Sequence, residues 1–343
     1  MASAPGKKIL VTGGAGYIGS HTCQALAARG YRPVVLDNLE NGHREAVQWG
    51  DLCIADLRDA AAVAEIFKNN DFAAVVHFAA YAYVGRSMLD PAAYYRNNVA
   101  GSMNLLDAMR RGGVDTIVFS STCATYGIPA RIPIDENENQ DPINPYGRSK
   151  LMIEQLLGDY CRAYDMRACS LRYFNAAGAD PHGRIGEVHE PEPHLIPNVL
   201  RAASGREKCL MVYGDDYPTP DGTCIRDYIH VSDLAAAHCL AVEHLFAGAG
   251  FHAFNLGSEK GYSVKEVVDA AETVTGLEVP FEVHARRPGD PPVLVADSSR
   301  AERELGWIRR HSGIDEILRT AWQWENSESA GNWRKGQVRS ARP

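Results

Sequence analysis

The stretch Ile9-Leu10-Val11-Thr12-Gly13-Gly14-Ala15-Gly16-Tyr17-Ile18-Gly19 constrains this chain more than any other. An aliphatic run reads as a buried strand, and the glycines that follow let the backbone turn tightly. Bare N–H groups can then approach a pyrophosphate, whose charge suits the positive end of the helix opening at Tyr17. Short β-branched runs continue to alternate with longer amphipathic stretches. Strands are expected at 9–12, 33–37, 51–56, 74–77, 116–120 and 168–173, with helices near 17–29, 60–68, 94–110 and 146–164. This alternation predicts an α/β fold built on a doubly wound parallel sheet.

After Asn175 the character changes. A loop rich in Gly, His, Pro and Glu runs to Pro193, followed by helices near 195–204, 232–246, 263–275 and 312–325 and strands near 209–213, 225–231 and 253–256. The expected division is a dinucleotide-binding domain over 1–175 and a smaller mixed α/β substrate domain over 176–343, with a later segment able to return to the first. The polar tail from Asn326 is expected to fray. In the helix at 94–110, Tyr95, Val99, Met103, Leu106 and Met109 share one face, suited to the core or to a helix-on-helix dimer contact.

Composition excludes several partners. A net charge of −8 argues against nucleic acid, whose partners are usually basic. No run of 18 apolar residues suggests a membrane span. The N-terminus lacks the apolar core of a signal peptide, so a cytoplasmic location is expected. Eight cysteines without a Cys-x-x-Cys pair suit free thiols in a reducing compartment. No His/Cys spacing suggests a structural zinc site, and no metal is expected.

Candidate chemistry comes from three places. Asp37 ends the second strand, where a carboxylate can accept from both adenosine ribose hydroxyls and repel a 2′-phosphate, favouring NAD over NADP. Asp56, after the third strand, can accept from the adenine amino group or be an ordinary loop carboxylate. In Asn144-Pro145-Tyr146-Gly147-Arg148-Ser149-Lys150, Asn144 suits an N-cap and Pro145 the first helical position. Tyr146 and Lys150 then share a helix face. The ammonium, the helix N-terminus and an oxidised nicotinamide would each favour the phenolate. Of the hydroxyls at Ser120, Ser121 and Thr122, Thr122 is best placed to share a proton with Tyr146. Asn97 and Asn98 can hold backbone or cofactor amides.

These motifs, together with Asp37-Asn38-Leu39, His77-Phe78-Ala79, Leu171-Arg172-Tyr173-Phe174-Asn175, Arg226-Asp227-Tyr228-Ile229-His230-Val231 and Arg286-Arg287-Pro288-Gly289-Asp290, resemble the extended short-chain dehydrogenase/reductase family. Within it the chain is similar to the UDP-sugar 4-epimerases from Lys8 to about Trp324. The resemblance implies a Rossmann domain holding NAD almost permanently and interconversion of UDP-galactose and UDP-glucose through a 4-keto sugar. Tyr146 would be the base, Thr122 its proton relay, and Lys150 the group that lowers the tyrosine pKa and holds the nicotinamide ribose. The cofactor would contact Gly13, Gly16, Tyr17, Ile18, Gly19, Asp37, Asn38, Asp56, Leu57, Phe78, Ala79, Ala80, Asn97, Lys150 and Phe174. The sugar nucleotide would contact Thr122, Tyr146, Asn175, His194, Leu195, Tyr213, Arg226, Arg287, Asp290 and Leu294, with the arginines suited to diphosphate. A homodimer through helices 94–110 and 146–164 is implied as well.

Two positions depart from the family pattern. Ala82 stands where some members place a cofactor-contacting lysine, so a water, Tyr81 or Tyr83 would replace it. Leu294 stands where hexose-selective members carry Tyr, leaving room near the sugar C2 substituent, so UDP-N-acetylhexosamine is an alternative substrate. UDP-pentose fits the same residues. A 4,6-dehydratase would need Asp-Glu after the catalytic Thr, and here Thr122 is followed by Cys123-Ala124. A non-catalytic NAD-sensing protein would have no need of the intact Tyr146, Lys150 and Thr122.

Overall fold

The first half of the chain builds β1 (Lys8–Thr12), β2 (Arg32–Asp37), β3 (Asp51–Ile54), β4 (Phe72–His77), β5 (Thr116–Thr122) and β6 (Arg167–Tyr173). The second half contributes β7 (Asn175–Ala177), β8 (Leu210–Tyr213), β9 (Ile225–His230), β10 (Gly250–Leu256), β11 (Gly261–Ser263), β12 (Phe281–His284) and β13 (Val293–Leu294). A computed structural model describes residues 6–287, 290–311 and 313–340, with side chains to Arg334 in the last helix. Pro288 and Gly289 of the arginine-rich motif, and Ser312, lie outside the described residues.

The main sheet runs β10-β6-β5-β4-β1-β2-β3, all parallel. Its order reverses between β1 and β4, so the carboxyl ends of these strands open the crevice where ligands bind in such sheets. The helices are α1 (Tyr17–Ala28), α2 (Ala60–Lys68), α3 (Val84–Leu89), α4 (Pro91–Tyr94), α5 (Gly101–Arg111), α6 (Pro145–Tyr164), α7 (Leu195–Ala203), α8 (Val231–Ala247), α9 (Val264–Thr275), α10 (Ser299–Leu305), α11 (Ile314–Glu325) and α12 (Glu328–Ser340). Both sheet faces are covered, which is why its strands read as continuous apolar runs. Ile9 and Val11 pack toward Leu26 and Leu234 of α1 and α8, while Leu10 packs toward Phe67, Leu105 and Ile153 of α2, α5 and α6. Burying each such side chain stabilises the fold by ~1.5–3 kcal/mol.

β10 comes from beyond residue 176 yet forms the outer strand beside β6. The remaining elements form a smaller layer in which β9 pairs with β7, β11 and β13, and β8 pairs with β12. α7, α9 and α11 enclose its core around Val199, Val267 and Ile317. All eight cysteines are free. Among the described residues no helix is long and apolar enough to cross a membrane.

Two expectations need correction. The helix expected at 94–110 is interrupted by a π-helical segment, Tyr95–Ala100. A π turn takes an extra residue and rotates the side chains that follow. Tyr94, which closes α4 just before it, is buried in place of Tyr95; within and beyond the π segment Asn98 is buried rather than Val99, and Met103 is exposed. The tail, expected to fray, is helical over 328–334. Ala330 and Trp333 are buried, Trp333 meeting Trp324 edge-on at 4.9 Å and stacking on His43 at 5.2 Å. One large aromatic anchors a segment whose average composition is polar.

Candidate active site

Thr12 ends β1, and the chain turns at Gly13 with φ of +71°; a Cβ there would lie 2.6 Å from the Ala79 backbone nitrogen. At Gly19 a Cβ would lie 2.2 Å from the Gly13 carbonyl oxygen, so its absence lets α1 pack against the turn. Gly16 caps α1 without a side-chain hydrogen bond, and the first turn carries no acidic residue. The positive helix end is thus left open toward the crevice. Asp37 accepts from the Ala15 and Leu39 N–H groups at 3.0 and 2.9 Å, and burial pushes its pKa up. Asp56 accepts a forked pair of hydrogen bonds from Arg58 at 2.8 and 2.6 Å and one from Asn38 at 2.9 Å. The guanidinium holds the Asp56 carboxyl well below the usual carboxylate range.

A cavity of about 420 Å³ opens along this cradle, and every residue named above for the cofactor lines it. Asn98 does not line the cavity; it accepts from the Tyr81 N–H at 2.8 Å and donates to the Tyr81 carbonyl and the Ser149 hydroxyl, both at 3.0 Å. It therefore ties the 80–84 wall to α6. Ala82 lies in that wall between Tyr81 and Tyr83. The Tyr81 hydroxyl donates to Glu40 at 2.8 Å.

At the inner end of the cavity β5 and α6 meet. Asn144 accepts from the Gly147 N–H at 2.8 Å and Pro145 takes the first helical position, the cap expected from the sequence. Thr122, Tyr146 and Lys150 all line the cavity, as does Ser120; Ser121 instead bonds to the buried Glu154 carboxylate at 2.5 Å. Lys150 Nζ donates to the Ser120 carbonyl at 2.7 Å and sits 6.0 Å from the Tyr146 ring centre. Burial lowers the lysine pKa to about 7, with Glu154 pulling the other way. Burial also pushes the Tyr146 phenol above its ordinary value, aided by the Tyr173 phenol and opposed by the Thr122 hydroxyl. The expected stabilisation of the phenolate by an ammonium, the helix N-terminus and an oxidised nicotinamide concerns the cofactor-bound protein. Desolvation of the phenolate is the largest of the effects that raise the Tyr146 pKa.

The residues expected at the sugar nucleotide fall into two groups. Asn175 and His194 line the same cavity, and Asn175 Nδ2 donates to the Asp227 carbonyl at 2.9 Å. Leu195 opens α7 beside them. Tyr213, Arg226, Arg287, Asp290 and Leu294 lie outside that cavity, in the smaller layer. Arg226 pairs with Asp290 at 2.7 Å, and the Arg287 guanidinium covers the Tyr213 ring at 4.0 Å. Two residues assigned separately to the ligand are thus each other's partners. Arg226 also lies near the end of β5: burial raises the pKa of the Cys123 thiol next to Thr122, and the Arg226 charge opposes that rise. Leu294 pairs in register with Arg226 and packs against Phe174 and its neighbours. Sequence reasoning missed Glu40, Glu187 and His189, which also line the cavity. The last two sit in an irregular loop with no periodicity to read.

Residues 9–257 match the model of the NAD dependent epimerase/dehydratase family. The chain is 52% identical to the UDP-glucose 4-epimerase of Rhizobium leguminosarum bv. trifolii, covering 93% of this chain and 97% of that one. It superposes with a TM-score of 0.90 on the Brucella ovis UDP-glucose 4-epimerase in complex with NAD, at 55% identity, covering 92% of this chain and 97% of that one. A TM-score of 0.90 is also found for the Stenotrophomonas maltophila UDP-glucose-4-epimerase with bound NAD and formylated UDP-arabinopyranose, at 40% identity, covering 98% of this chain and 100% of that one.

Proposed function

The chain belongs to the NAD dependent epimerase/dehydratase family, and from that premise we propose that it is a UDP-glucose 4-epimerase, interconverting UDP-galactose and UDP-glucose with NAD as its resident cofactor. The observation that carries this reading is the convergence of Thr122, Tyr146 and Lys150 on the cavity that begins at the glycine turn. The donor set suits the dinucleotide. Glycines bring backbone to the crevice where a Cβ would clash, the open end of α1 favours a pyrophosphate, and Asp37 suits a ribose diol. When bound, NAD supplies a reversible hydride acceptor and, oxidised, a positive charge.

In this reading Tyr146 takes the C4 hydroxyl proton, directly or through the Thr122 hydroxyl, as the C4–H bond breaks. The same phenol returns the proton after the 4-keto sugar has presented its other face. Because burial alone keeps Tyr146 protonated, positive charge beside the phenol is what brings its pKa into a useful range. Lys150 supplies part of that charge and also holds the ribose. Asn175, His194, Leu195 and the Arg226/Arg287 cluster hold the nucleotide end, so that the hexose is free to turn. Opening the Arg226–Asp290 pair is part of that binding, Arg226 turning to the diphosphate and Asp290 to a sugar or ribose hydroxyl.

The dinucleotide unit comprises residues 1–175 with β10, and the rest of 176–343 serves the sugar nucleotide. Exposed Met103 and Met152 on α5 and α6 supply apolar surface for a homodimer. Leu294, aliphatic and half-buried, favours a second substrate class, the UDP-N-acetylhexosamines. Elimination of water is disfavoured, because burial pushes the Cys123 thiol up to about 12 and Ala124 has no proton to transfer. The test is to give the purified protein UDP-galactose without added NAD and follow the product by NMR. UDP-glucose is expected; a deoxy-keto sugar or no turnover would overturn the proposal. Parallel turnover of UDP-N-acetylgalactosamine checks the Leu294 argument, and none alongside good hexose activity would refute it.

A further inference from the structure

The loop between β7 and α7 brings together four side chains that the reaction above leaves unused or only partly used. His194 Nδ1 lies 2.8 Å from a carboxylate oxygen of Glu187 and 2.8 Å from one of Glu192. His189 Nδ1 lies 3.2 Å from Glu187 and 3.7 Å from Glu192. One donor atom from each residue falls within 4.8 Å of all the others, and no other group of this kind occurs among the described residues. We propose that Glu187, His189, Glu192 and His194 bind one divalent transition ion, of which zinc is the archetype, in the wall of the sugar-nucleotide cavity.

Three observations carry the assignment. The spacing is right: tetrahedral bonds of ~2.0–2.1 Å put neighbouring donor atoms ~3.3–3.4 Å apart, and small rotamer changes reach that from the distances above. The donor set is also right, since two imidazoles and two carboxylates suit a borderline cation better than a hard one. Finally, Glu192 Oε2 and His189 Nδ1 are buried without a hydrogen-bond partner. The Glu192 side chain is 1% exposed, so an unpartnered oxygen there is costly unless something fills the centre of the cluster.

The surrounding backbone is fixed independently of any ion. The Glu187 carbonyl accepts from Trp324 Nε1 at 3.0 Å, the Val188 carbonyl from His43 Nε2 at 3.2 Å, and the Glu192 carbonyl from Asn198 Nδ2 at 3.1 Å. Gly186 lies so close to Trp324 that a Cβ would fall 2.4 Å from the indole. The ligand loop is therefore held in place from behind, the arrangement that preorganises a metal site.

The competing account is a closed ring of ion pairs, with protonated imidazoles balancing the carboxylates. Titrating chelator-treated full-length protein with Co²⁺ separates the two. The proposal predicts one equivalent bound, with the intense visible absorption of a tetrahedral ion, and displacement by one equivalent of zinc measured by mass spectrometry. His189→Ala and the near-isosteric Glu192→Gln should each weaken binding at least ~100-fold while remaining folded by circular dichroism. A cobalt spectrum of octahedral aquo type, zinc stoichiometry that stays near zero, or undiminished affinity in a folded Glu192→Gln protein would establish an ion-pair ring only and overturn the proposal. The wild-type titration decides even where a variant fails to fold. None of these readouts depends on turnover.

Discussion

Replacing Gly147 with alanine probes the packing on which the Tyr146–Thr122 arrangement rests. Gly147 follows Tyr146 in the first turn of α6, and the missing Cβ would lie 2.4 Å from the Ala124 carbonyl oxygen and 3.0 Å from its carbon. Ala124 belongs to the tight turn Cys123–Thr125 that begins directly after Thr122. The glycine therefore lets the helix carrying Tyr146, the proposed base, touch the turn that follows Thr122, the proposed relay. An ordinary contact needs at least ~3.2–3.4 Å, so the alanine must push the two backbones apart by roughly 1 Å, at a typical overpacking cost of 1–3 kcal/mol. A displacement of about 1 Å in a catalytic array can cost ~10²-fold in rate. Gly158, in the same helix, is the control: its nearest neighbour is the Arg162 side chain at 3.6 Å, so Gly158→Ala should gain up to ~1 kcal/mol of helix propensity. The assay is kcat for UDP-galactose by NMR beside thermal unfolding of both variants. Turnover of Gly147→Ala within about threefold of wild type, with unchanged stability, would refute the close-packing argument.

Three further predictions follow from the same geometry. Gly19→Ala should abolish retention of the dinucleotide through purification, read from the absorbance of the heat-released supernatant, because its Cβ meets the fixed Gly13 carbonyl at 2.2 Å. Lys150 is 2% exposed and its pKa falls from 10.5 to about 7, a gap corresponding to ~5 kcal/mol against the buried ammonium. That destabilisation is fully present below pH 7 and relieved between 7 and 10.5. Lys150→Met should thus stabilise the dinucleotide-free protein at pH 6 and do little at pH 10, in denaturant titrations; destabilisation at pH 6 would contradict this. The carboxylates of Glu187 and Glu192 hold His189 up to about 9 and His194 up to about 10, above the ordinary 6.5. The stability this contributes is complete below pH 6.5 and lost as pH rises through 9 to 10, so the metal-free melting temperature should fall there while a zinc-loaded sample falls less.

Much of this site was legible because its signals are local. The strand–glycine–helix turn at 9–19 and the Asn144-Pro145 cap each depend on a few adjacent residues, and both form as expected. What escaped depends on contacts distant in sequence. The pairing of Arg226 with Asp290 spans 64 residues, and the Glu187–His194 cluster arises where an aperiodic loop folds on itself. Trp333 anchors a tail that looks dispensable by composition because its pockets, Trp324 and His43, come from separate parts of the chain. The burial of Tyr146 escaped for a related reason. The sequence reveals the nearby charge of Lys150 but not the burial that both side chains undergo.

Tyr146→Phe tests the central claim most directly. It removes one hydroxyl while keeping the ring that lines the cavity, and a positioned base supplies about 10²–10⁴ in rate. The account predicts a protein that still carries its dinucleotide and converts UDP-galactose at least ~100-fold more slowly than wild type. Near-normal conversion by that variant would contradict it.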